Sequence, residues 1–115
     1  MPTTSAFNGT ITSDATDQTI GGELTAAGTY VLYLDVSPLA DDDEIEIARW
    51  RQQNSTDGYR EIGERVPLRH DLGDRWIESP PMVLTAIDAN EKGKFTVKRV
   101  AGTDRTYRHN VAKIA

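Results

Sequence analysis

Cysteine is absent from the 115 residues, which removes thiolate nucleophiles, disulfide staples and zinc–thiolate sites together. Such a composition suits a chain made in a reducing cytoplasm. Histidine is nearly absent: only His70 and His109 could serve as a general base near neutral pH. No Gly-x-Ser-x-Gly elbow is present, and no Gly-x-x-x-x-Gly-Lys or Gly-x-Gly-x-x-Gly stretch offers a phosphate cradle. His70 and Asp71 adjoin, so a strand would send them to opposite faces. Both histidines read as surface or structural groups, and the sequence assigns no catalytic residue, cofactor or enzyme class. No apolar run approaches the roughly 18 residues of a membrane span. The opening Met-Pro-Thr-Thr-Ser-Ala has neither the basic start nor the apolar run of a secretory signal, so neither feature is expected.

Lysine and arginine are also missing, but only from one half. Met1 to Ala48 carries nine acids and no basic residue, whereas Arg49 to Ala115 carries 13 basic residues against nine acids, for a net charge of −5. Such a division bears on association, not on fold. Two readings follow: the two sets interleave within one molecule, or acidic and basic faces of neighbouring copies attract.

What is present is β-strand patterning. The length fits one domain over residues 1–115, able to bury a core without metal or disulfides. Short alternating runs recur between turn residues, the signature of a sandwich or barrel. Phe7, Gly9 and Ile11 alternate with polar residues, and Ser13 to Asp17 reads as a turn. Thr19 to Leu24 is a weak strand in which Gly21-Gly22 implies a bulge or a close backbone approach. In Thr29–Val36, Tyr30, Leu32, Leu34 and Val36 share one face, with Val31 and Tyr33 on the other, as in a central strand covered on both sides. Ser37-Pro38 ends it. In Glu44–Gln52, Ile45 and Ile47 face inward. The apolar set then shifts to Ala48 and Trp50, which requires either a bulge or an edge strand with contacts on both sides. Arg49–Gln52 and Tyr59–Arg65 are expected to form a projecting hairpin across a turn containing Asp57-Gly58. His70 to Asp74 reads as a loop and Glu78-Ser79-Pro80-Pro81 as a break. Met82–Ile87 reads as a strand with two apolar faces, followed by a hairpin turn over Asp88–Gly93. Strands from Phe95 to Val100 and from Tyr107 to Ile114 complete the chain. The fold expected is all-β, an antiparallel β-sandwich or jelly-roll-like domain of seven to nine short strands.

Three residue clusters merit weighing as binding sites. Asp41-Asp42-Asp43-Glu44 could attract calcium, but consecutive residues rarely converge on one ion and no glycine permits the wrap, so a solvated acidic loop is expected. Asp88-x-Asn90 with Gly93 resembles a calcium loop only until Lys92 and Arg99 occupy ligand positions. Arg49 and Arg51 with Trp50, and Arg99, Arg105 and Arg108 with Tyr107, interleave cations with aromatics as single-strand nucleic-acid binders do. An isoelectric point near 4.9 opposes phosphate attraction, so nucleic acid is not an expected partner. These arginines are better suited to bidentate ion pairs with carboxylates, between strands or between subunits. Trp50, Tyr59 and Trp76 could make a platform for sugar rings, or serve as core or interface anchors.

The stretch Ala27-Gly28-Thr29-Tyr30-Val31-Leu32-Tyr33-Leu34-Asp35-Val36-Ser37-Pro38-Leu39-Ala40, with Asp43-Glu44-Ile45-Glu46-Ile47, resembles small β-sandwich proteins encoded among the head and tail genes of tailed bacteriophages. Gly102-Thr103-x-Arg105-x-Tyr107 is similar to their ending. The charged segment from Arg49 to Arg75 departs from that pattern. The resemblance implies a virion component made in the bacterial cytoplasm: a capsid decoration or cement subunit, or a tail-associated one. Its partners would be a major capsid protein, tail subunits or further copies of itself. The alternative is a carbohydrate-binding module at a tail or fibre. The candidate interface residues are Asp41, Asp42, Asp43, Arg49, Trp50, Arg51, Tyr59, Trp76, Arg105 and Arg108. If acidic and basic portions meet across subunits, salt should weaken assembly.

Overall fold

A computed structural model of the chain describes residues 4–54, 56, 58–70 and 75–115. The expected Asp57-Gly58 turn and the Asp71–Asp74 part of the expected loop fall partly or wholly outside the described residues. Among the described residues there are nine antiparallel strands: β1 (Thr4–Thr12), β2 (Gln18–Thr19), β3 (Gly28–Asp35), β4 (Glu44–Gln52), β5 (Arg60–Arg69), β6 (Trp76–Glu78), β7 (Met82–Leu84), β8 (Lys92–Ala101) and β9 (Thr106–Lys113). They form two packed sheets. Sheet A runs β1-β9-β3-β6, with β7 also pairing β3, and sheet B runs β2-β8-β4-β5. If β6 and β7 count as one strand position, first pairs with last, second with next-to-last, and so inward. That is the strand order of a jelly roll, so the all-β sandwich expectation holds and its connectivity is specified.

Alternation explains which residues meet between the sheets. In β3, Tyr30, Leu32 and Leu34 point inward and are buried with Ile45 and Ile47 of β4, Phe95 and Val97 of β8, and Tyr107 and Val111 of β9. β3 lies between β9 and β6/β7, as expected of a central strand. The Gly21-Gly22 expectation also holds. Thr19 pairs with Thr96 and Leu24 bridges Gly93, so the four residues Ile20–Glu23 lie opposite only Lys94 and Phe95. Gly21 has φ +79°, and the ring of Phe7 packs where its side chain would be.

Three local expectations change. The irregularity near Ala48 is real, but β4 itself stays in register with β8, pairing Ile47 with Val97, Ala48 with Thr96 and Arg49 with Phe95. The extra residues are in β5, where Val66 pairs with Ile47 and Ile62 with Arg49, around Gly63 at φ +65°. The inward face therefore does not switch: Trp50 faces out from sheet B, and Arg49 points inward, its Nη1 donating to the Pro81 carbonyl at 2.8 Å. The expected Met82–Ile87 strand stops at Leu84, and Ile87 is 85% exposed. The reason is Glu91, whose buried carboxylate accepts the Thr85 N–H at 3.1 Å and the Thr85 hydroxyl at 2.8 Å. Finally, Asp88–Gly93 is not a hairpin, because β7 pairs β3 in sheet A whereas β8 lies in sheet B. That segment crosses from one sheet to the other.

Candidate interaction surface

The acidic run is pulled apart by its surroundings. Asp43 is buried: its carboxylate accepts the Ala40 N–H at 2.8 Å and the Thr103 N–H at 3.0 Å, and it pairs with Arg105 Nε. The two N–H donors and Arg105, against the opposing effect of burial, hold its pKa down at about 2. Asp41 instead approaches His70 Nε2 at 3.0 Å, Glu44 takes Arg69 Nε at 2.5 Å, and Asp42 is exposed. Asp43 thus departs from the solvated loop expected of it: it is the fastener between the β3–β4 connection and the β8–β9 connection.

The division of charge closes within the chain. Acids from the first 48 residues meet cations from the rest: Asp17 with Arg65 at 2.7 Å, Glu23 with Lys92 at 3.0 Å, and Asp35 with Arg108 at 2.8 Å and Arg75 at 3.2 Å. The interleaved reading is therefore the one this geometry supports. Arg105 and Arg108, both candidates for contacts between subunits, already hold carboxylates of their own chain. Arg51 likewise pairs with buried Glu91 at 2.8 Å.

The three aromatic candidates do not share a surface. Trp50 is on the outer face of sheet B, where its Nε1 donates to the Thr96 hydroxyl at 2.8 Å and Arg65 lies 5.6 Å from the ring centroid. Tyr59 is on the same side. Its hydroxyl donates to Glu23, and Lys94 and Lys92 lie 4.4 and 5.4 Å from its ring centroid. Burial and the Glu23 carboxylate push the phenol pKa well up, so it stays protonated. Trp76 is on the opposite side of the sandwich, since it pairs with Asp35, which points away from the core residues Leu32 and Leu34. A continuous platform of all three is absent.

The two outer faces differ in kind. Sheet B is densely charged: Glu44 and Glu46 of β4 alternate outward, Lys98 of β8 stands beside Glu46 and Lys94 beside Trp50, and Arg65 spans Asp17, Glu46 and Glu61. Sheet A is polar but sparsely charged. Register places Asn8, Thr10 and Thr12 of β1, Arg108, Asn110 and Ala112 of β9, and Val31, Tyr33 and Asp35 of β3 on its outer side. At its β6/β7 border stand Trp76, 42% exposed, and Val83, 51% exposed. Arg108 lies 5.4 Å from the Trp76 ring centroid, and its guanidinium is held by Asp35. Burial raises the Asp35 pKa, but Arg108, the Ser37 N–H and Arg75 outweigh it, so the carboxylate remains ionised far into acid. Trp76 is thus an exposed tryptophan with a fixed arginine over its ring, bordered by charges that are paired within the chain. Trp76 and Arg108 were visible as candidates in the sequence; Val83 and Tyr33 were not, since each reads as ordinary strand filling.

Two shallow depressions flank the Arg51–Glu91 pair. One, of about 200 Å³, is lined by Gln53, Gly58, Arg60 and Ile62 among others, and one of about 360 Å³ by Glu23, Thr25, Gln52, Asn90 and Lys92 among others. Among the described residues no group of three or more His, Asp or Glu is arranged to hold a metal ion. Compared with protein-family models, curated proteins and solved structures, the chain matches none of them, so its functional reading stands on residues and geometry.

Proposed function

We propose that the chain is a non-enzymatic structural subunit of a bacteriophage particle, one that decorates or cements the capsid by docking the outer face of sheet A on a neighbouring virion protein. The observation that carries the docking face is Trp76, left 42% exposed with Arg108 over its ring, where the neighbouring charges of Asp35, Arg75 and Arg108 are paired with one another. The phage assignment comes from the resemblance of the Ala27–Ile47 segment, and a jelly roll is an architecture that viral capsid domains use among others. Because Asp35, Asp43, Arg105 and Arg108 are paired within the chain, docking leans on the aromatic anchor more than on the opposition of charged halves.

Two measurements test this reading. Trp76→Ala should lower particle occupancy at least tenfold, as expected for loss of a central anchor, while leaving the melting temperature within a few degrees. Retained occupancy would remove the sheet A face from the proposal. Occupancy should also survive a rise from about 0.1 to about 1 M salt; loss over that range would return the contact to the charged residues. A sugar-binding role at a tail or fibre is the second reading, favoured by the polar depression of about 360 Å³ beside Tyr59. Saturable change of tryptophan fluorescence on adding polysaccharide, abolished by Tyr59→Ala, would select it.

A further inference from the structure

Four strand positions lie at sheet borders, and three carry a device against pairing with another chain. β2 has only two residues. β5 is bulged at Gly63, contains Pro67 and has five charged side chains, Arg60, Glu61, Glu64, Arg65 and Arg69. The β6/β7 border is broken by Pro80-Pro81. Short length, charge, proline and bulges are how natural sheets keep their borders single.

β1 differs. Its nine residues, Thr-Ser-Ala-Phe-Asn-Gly-Thr-Ile-Thr, include no charge and no proline. Seven of them are exposed, and only Phe7 and Ile11 are partly covered. It pairs β9 on one side, with a bulge confined to Ser5–Phe7, so Phe7–Thr12 is regular. Ser13 N–H bonds the Arg105 carbonyl at 3.0 Å, which fixes the phase of the ladder. By the antiparallel alternation, the N–H and C=O groups of Asn8, Thr10 and Thr12 then point off the sheet.

We infer that β1 is a self-pairing border, on which a second copy of this chain adds its own β1 antiparallel about a two-fold axis at Thr10. Three features favour a second copy over another strand. The strand is uncharged, so two chains of net charge −5 meet here without opposed like charges. In the register centred on Thr10, Asn8 faces the partner's Thr12 and Thr10 faces the partner's Thr10. The off-sheet groups of Asn8 and Thr12 then find mates, and the Thr10 carbonyl, which already accepts the His109 side chain, has a second lone pair for the partner's Thr10 N–H, while the polar side chains stack as a ladder. On the other face Ile11 comes opposite the partner's Gly9, whose missing side chain makes room for it, and the reverse contact follows by symmetry. Gly9 is otherwise not required for space, since an added Cβ would stand an ordinary 3.8 Å from the His109 ring. The result is one sheet continuous across two copies.

The inference is independent of the particle role and is read on the isolated chain. Sedimentation equilibrium over roughly 10–500 µM, the range suited to a small interface, should show a monomer–dimer equilibrium. Thr10→Pro removes one off-sheet N–H without touching the β1–β9 bonds and should weaken dimerisation at least tenfold. A second pair of variants guards against misfolding: Asn8→Lys with Thr12→Lys, and Asn8→Glu with Thr12→Glu, all at exposed positions. Each doubly charged chain should be monomeric alone, and a mixture of the two should restore the dimer. A native chain that stays monomeric throughout overturns the inference. So does a dimer indifferent to Thr10→Pro, or a mixture of charged chains that fails to associate.

Discussion

Asp43 shows what one carboxylate does when its charge is fully engaged. Two backbone N–H groups and Arg105 converge on it, and Gly102, at φ +87°, is required beside it because a side chain there would strike Asp43. Asp43→Ala would strand two donors and a guanidinium, so a loss of about 3 kcal/mol is expected in urea unfolding, the cost typical of breaking a buried charged network. Gly102→Ala should cost about 1–3 kcal/mol through backbone strain and collision. His109 is the converse case: it is buried on β9, its Nδ1 has no hydrogen-bond partner among the described residues, and burial lowers its pKa below the ordinary 6.5. Below pH 6.5 the unfolded chain therefore binds a proton that the folded chain resists, and stability falls with pH. Asp43 and Asp35, both depressed, add a second loss as pH falls from 3.8 toward about 2, where Asp43 protonates. Urea midpoints measured from pH 8 to about pH 2 should decline in two stages, and His109→Gln should flatten the upper one alone.

At the scale of elements, β5 and the β7–β8 crossing show how single residues set geometry. Gly63 lets β5 bulge past β4 with positive φ, and the Arg49 guanidinium occupies the space where its side chain would be. Gly63→Val should destabilise by about 1–3 kcal/mol and displace Arg49 from Pro81; unchanged stability would show that the bulge relaxes freely. Strand existence was legible from polar–apolar alternation over β4, β8 and β9, and in β3 from a short apolar run closed by Ser37-Pro38. The end of β7 was not, because Val83 and Ile87 look like core residues until Glu91 captures Thr85. Nor was the site of the bulge, since Ala48 and Trp50 mimic a switched face while the extra residues sit in the partner strand.

At the scale of the whole molecule, chain ends meet: β1 pairs β9, and Ser5 Oγ donates to Asn110 Oδ1, a bond spanning 105 residues. Nearly every other pairing except β4–β5 also joins distant segments. Such loops must close before their contacts stabilise anything, so refolding followed by tryptophan fluorescence should take roughly milliseconds to seconds, not microseconds. Of the candidate interface residues, the fold separates Trp76 and Arg108 on sheet A from Trp50, Tyr59 and Arg51 on the sheet B side. It also withdraws Asp43 and Arg105 into a network of their own.

The amino-acid order by itself determined the all-β class, the positions of most strands and turns, and the lack of familiar catalytic motifs, because period-two alternation and turn residues act over a few neighbours. Only the tertiary structure decided which sheet each strand joined, which carboxylate was buried and where the divided charges went. Those outcomes depend on contacts between segments far apart in the chain, and identical aspartates in one run acquire different roles according to what the fold brings beside them.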